Sequence, residues 1–65
     1  MPEANPPFTE FTDVTLRRPV EVQGISMPAG SHGVIMGVYA DGQAYEVEFH
    51  SPHVVLTIEH GDLKA

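Results

Sequence analysis

The chain has no cysteine and no tryptophan, and it carries only three Lys or Arg residues against nine Asp or Glu. The missing thiols exclude disulfides and thiolate metal centres. The shortage of cations leaves a formal charge of -6. Nucleic-acid affinity rests on cationic contacts that release counterions from phosphates, so DNA and RNA are disfavoured partners. No apolar run approaches the roughly 20 residues needed to cross a bilayer, and the start MPEANPPF lacks a basic and an apolar signal region. No membrane partner is expected, and the expected compartment is the cytoplasm. At 65 residues there is room for one small domain. A domain of this size buries only about 60% of the surface its unfolded chain exposes, so packing or a partner must supply what disulfides do not. A hydrophobic content of 42% still permits a compact core.

Helical signals are also missing: no segment shows an apolar stripe bounded by caps. What is present alternates. Three prolines among residues 1–7 leave little to bury, and residues 1–10 are read as a flexible leader ahead of a domain over 11–65. Asp13-Val14-Thr15-Leu16 has a period of two and reads as the first strand. From Arg17 to Ser31 the breakers Pro19, Gly24, Pro28 and Gly30 predict a long ordered loop pinned by Val20, Val22, Ile25 and Met27.

The strongest local signal is Asp41-Gly42 between two apolar runs, since this pair suits the positive φ values of a type I′ hairpin turn. Counting outward from that tip sets Val38 opposite Tyr45, Met36 opposite Val47 and Val34 opposite Phe49 on the core face. Tyr39 with Ala44, Gly37 with Glu46 and Ile35 with Glu48 then share the outer face. Around His50-Ser51-Pro52-His53, a second hairpin places Phe49 opposite Val54, Val47 opposite Leu56 and Tyr45 opposite Ile58. Pro52, with no amide hydrogen, favours an open connection there over a tight one. A turn over Glu59 to Asp62 leaves Leu63 as the last apolar anchor, able to return beside the first strand. The expected class is all-β: a small SH3-like barrel of about five strands with a long loop after the first strand.

The run Gly30-Ser31-His32-Gly33-Val34-Ile35-Met36-Gly37-Val38-Tyr39, with Tyr45-Glu46-Val47-Glu48-Phe49 after the turn, resembles a family of short bacterial domains of unknown function with an SH3-like barrel. The resemblance spans about Phe11 to Leu63. The same cadence is similar to the barrel of nitrile hydratase β subunits. It implies a fold and no catalytic residues. It also implies a small protein partner of the toxin and antitoxin or effector and immunity kind. His50 to His53 departs from the pattern of that family, where acidic and glycine residues are usual.

Candidate chemistry is sparse. His50 and His53 could approach one metal ion, but two ligands are half of what zinc normally takes, so exposed loop histidines are the expected reading and no metal or cofactor is assigned. Ser26, Ser31 and Ser51 lack a neighbouring base, and Glu46 and Glu48 point outward, so no catalytic constellation is expected. Gly30-Ser31-His32-Gly33 lacks the lysine and helix of a phosphate loop and reads as a turn entering a strand. Gly37 within a strand suggests a bulge or bend.

The surface of most interest is the outer face of the meander, with Ile35, Tyr39 and Val55 exposed among Glu46 and Glu48. Apolar anchors ringed by carboxylates suit a basic protein partner. Shielding of that face by the long loop or by the leader containing Phe8 is the alternative. The expected function is a non-catalytic acidic protein-binding module that neutralises its partner, not an enzyme. An accessory subunit of a larger enzyme, or a histidine-based metal binder, are the alternatives.

Overall fold

The structure, a computed structural model, describes residues 8–65. Seven strands follow in order: β1 (Asp13–Leu16), β2 (Val20–Val22), β3 (Ile25–Met27), β4 (His32–Tyr39), β5 (Ala44–His50), β6 (His53–Glu59) and β7 (Leu63–Lys64). The class is all-β, as the alternation predicts. Five strands form one antiparallel sheet in the order β6-β5-β4-β1-β7, and β2 pairs with β3 alone. The last strand returns beside the first through Leu16 with Leu63 and Thr15 with Lys64. Arg17 fastens that junction by donating its amide to the Asp62 carbonyl at 2.8 Å, and the Arg18 side chain meets the Asp62 carboxylate at 3.1 Å.

The segment expected as a loop contains the two strands beyond the expected five. Gln23 (φ 53) and Gly24 (φ 81) make a tight turn that pairs Val22 with Ile25 and Val20 with Met27. Gln-Gly meets the demand for positive φ that Asn-Gly or Asp-Gly usually meets, so the hairpin hid behind an atypical turn pair. Its Met27 is buried, and Val20, Val22 and Ile25 pack against the core from the side.

The β5–β6 hairpin has the expected register: Phe49 faces Val54, Val47 faces Leu56 and Tyr45 faces Ile58. Its connection is tight, not open, because His50 pairs with His53 and only Ser51 and Pro52 remain at the tip, across a cis Ser51–Pro52 peptide. Pro52 there has no ladder bond to lose.

The β4–β5 hairpin follows its expected register only next to the turn. Asp41 (φ 56) and Gly42 (φ 98) occupy the tip, the Gln43 amide donates to the Ala40 carbonyl, and Val38 faces Tyr45 with Gly37 facing Glu46. A bulge then falls between Ile35 and Gly37, at Met36, so Ile35 faces Val47 and Gly33 faces Phe49. The expected partners Met36 and Val34 are displaced by one position. Ile35 is therefore buried in the core at 0% exposure, and Met36 is turned out. A strand has period two, so one extra residue exchanges its faces. Gly33 is what allows the shifted register: a Cβ there would stand 2.6 Å from Val47 Cγ1 and 2.9 Å from the Glu48 carbonyl oxygen.

One core results, built from Val14, Leu16, Met27, Ile35, Tyr45, Val47, Phe49, Leu56, Ile58 and Leu63. Full burial of each large side chain contributes about 1.5–3 kcal/mol. The buried Tyr45 hydroxyl is satisfied, accepting the Phe8 amide at 2.9 Å and lying 3.4 Å from His60 Nδ1. Of the leader expected over residues 1–10, residues 1–7 lie outside the described residues. Phe8 packs against Tyr45 and His60, with ring centroids 5.3 Å from each. Beyond it, the Phe11 amide donates to the Ile35 carbonyl and the Ile35 amide to the Thr12 carbonyl.

Candidate functional site

The outer face of β4, β5 and β6 is a set of cross-strand rows. One row runs Val34, Glu48, Val55; the next runs Gly37, Glu46, Thr57; the third runs Tyr39, Ala44, Glu59. Tyr39 is 47% exposed and Val55 46%, while Glu46 and Glu48 are half-buried beside them. Four of the five residues assigned to this face from sequence are thus together. Ile35 is not, and the residues that stand in its place are the half-buried Val34 and the exposed Met36. Two glycines carried the signal for that exchange: Gly37, which marked a bend, and Gly33, the residue on β4 small enough to oppose Phe49.

The electrostatics of the face are one-sided. The lysine and arginines of the chain sit on β7 and after β1, not on β4 to β6. Among the described residues the Lys or Arg ion pair is Arg18 with Asp62, and Glu48 is met by the His53 ring, so no Lys or Arg neutralises Glu46, Glu48 or Glu59. Among the described residues the long loop and Phe8 do not shield this face: Phe8 lies on Tyr45 and His60, the β2–β3 hairpin packs on the core, and Tyr39 and Val55 stay exposed; residues 1–7 of the leader lie outside the described residues.

One end of the same face carries three histidines. His50 and His53 stack at the tip of β5 and β6 with centroids 6.0 Å apart, and His53 Nε2 lies 2.6 Å from Glu48 Oε2. His32 on β4, which its sequence position did not associate with them, lines a cleft of about 300 Å³ with His50, Asp13, Gly33 and Val34. Its Nδ1 lies 3.1 Å from the Thr15 hydroxyl. Among the described residues no three His, Asp or Glu side chains are placed to hold a metal ion. Gly30-Ser31-His32-Gly33 is a turn entering β4, closed by the Ser31 amide and hydroxyl, which both donate to the Pro28 carbonyl.

No helix of the described residues is long and apolar enough to cross a membrane. Comparison with protein families, curated proteins and solved structures finds no match to this chain.

Proposed function

We propose that the protein is a non-catalytic binding module whose outer sheet face docks a basic protein partner and neutralises it by occlusion. The observation that carries this reading is the juxtaposition on one face of exposed Tyr39, Val55 and Met36 with Glu46, Glu48 and Glu59, free of Lys and Arg. Apolar anchors supply contact area on docking, and carboxylates without a Lys or Arg partner steer a cation-rich surface toward them.

The test is purification of the tagged protein at native expression level, with mass spectrometry of what accompanies it, repeated for Tyr39→Ala and Glu48→Lys. A single basic partner in equal amount, lost from both variants, supports the proposal. If the partner's activity is suppressed in the complex, the protein is a neutraliser. A partner active only in the complex makes it an accessory subunit. No partner at low or high salt overturns the docking reading.

A further inference from the structure

A second surface, on the opposite flank of β6, has a different geometry. Among the described residues β6 pairs with β5 alone and β2 pairs with β3 alone, so each has one edge outside any ladder they form. Among the described residues no other backbone hydrogen bond engages Val20 to Val22 or Val55 to Glu59. Residues of both strands line one groove of about 340 Å³, formed by Val20, Glu21, Val22, Thr57, Ile58 and Glu59 together with Pro19 and Asp62.

The groove has alternating chemistry. Val20 and Val22 are half-buried and make an apolar wall, while Glu21, Thr57 and Glu59 are exposed on the rim. Asp62 is engaged by Arg18 at 3.1 Å; neither Glu21 nor Glu59 has a cationic partner among the described residues. Unpaired strand edges invite another strand, and proteins that keep such an edge solitary guard it with lysine, proline or a bulge. Here the guard on the β6 edge is acidic, which repels a second copy of this net-negative chain and attracts a cationic one.

We infer that this groove accepts an extended segment of a basic protein, which adds as a strand to the free edge of β6. Successive side chains of a strand point to opposite faces, so the segment's apolar residues meet Val20 and Val22 while its alternate Lys or Arg residues reach Glu21 and Glu59. Main-chain hydrogen bonds to β6 give the affinity, and the alternation gives the selectivity. The site borders the outer face of the meander and shares Glu59 with it, but its strand ladder does not depend on Tyr39, Glu48 or Val55.

The probe is a capped hexapeptide alternating valine and lysine, set against its valine and glutamate counterpart and a version N-methylated at every second residue. Amide exchange and chemical shifts of the full chain provide the readout. The lysine peptide is expected to slow exchange of the edge amides between Val55 and Glu59 by about tenfold or more. Glu59→Lys should weaken its binding about threefold to tenfold at low salt, with the fold unchanged. The glutamate and N-methylated peptides should not bind. Equal binding of the methylated peptide overturns strand addition. Absence of binding by the lysine peptide at millimolar concentration overturns the site. Shifts confined to Tyr39, Glu48 and Val55 also overturn it, while supporting the docking face proposed above. Protection of the β6 edge that grows with protein concentration and needs no peptide assigns the groove to a second copy and overturns the basic occupant.

Discussion

The two hairpins that share β5 differ in how far their turns control them. From the Ser51-Pro52 tip, β6 runs beside β5 in one register over its whole length, from His50 with His53 to Ala44 with Glu59. From the Asp41-Gly42 tip, β4 keeps its register for Tyr39, Val38 and Gly37 and then shifts at Met36. The weaker turn signal thus heads the more regular hairpin. A turn sets which residues begin opposite each other; the packing of the sheet decides whether that register persists. Along β6 the inward positions Val54, Leu56 and Ile58 are apolar without interruption, so nothing competes with the ladder. Along β4 a continued register would have pressed Val34 against Phe49 and left Ile35 outside. The bulge instead buries Ile35 and brings Gly33 under Phe49.

Deletions test this difference most severely. Removing Val55 forces either half of β6 to slip by one position and turns His53 toward Phe49, so circular dichroism on heating should show no cooperative transition. Removing Met36 takes out only the extra residue and leaves Gly33, Ile35 and Gly37 opposite their present partners; the fold should survive at a cost of no more than about 2 kcal/mol in urea unfolding. Point substitutions sharpen the same contrast. Ile35→Ala should cost about 3 kcal/mol and Met36→Ala less than about 1 kcal/mol, and the reverse order would mean β4 is unbulged. Gly33→Ala should cost about 2 kcal/mol, since its Cβ meets both a side chain and the Glu48 carbonyl, whereas Gly61→Ala, with nothing within 4 Å, should change stability by less than about 0.5 kcal/mol. The most local effect concerns the turn. Gly42→Ala, at φ 98, should cost about 1 kcal/mol and leave the β5–β6 amides as protected as before.

Much of the fold was legible in the order of residues. Alternation over Asp13 to Leu16 and Gln43 to Phe49, with the apolar run Val54 to Ile58, located β1, β5 and β6, and the apolar matches across β5 and β6 gave their pairing. The hairpin of β2 and β3 was not legible, because its strands are three residues each and its turn pair is Gln-Gly. Short strands carry too few alternations to distinguish them from a pinned loop. For the docking face, Tyr39, Glu46, Glu48 and Val55 could be placed from turn geometry because they lie where the count outward from a tip remains unbroken. Ile35 could not, being on the far side of the bulge. His32 joined His50 only through the pairing of β4 with β5, and the groove between β2 and β6 had no trace in the sequence, since its walls lie some thirty-five residues apart.

By itself the sequence determined the all-β class, the absence of disulfides, the acidic balance and the turn at Asp41-Gly42, because each depends on composition or on residues adjacent in the chain. The tertiary structure decided which face of β4 is buried, that β7 closes on β1, and that residues of β2 and β6 line one groove. Those outcomes depend on whether distant side chains can share a volume, as Gly33 beneath Phe49 and Ile35 against Val47 show. Local pattern proposes such contacts, and only packing chooses among them.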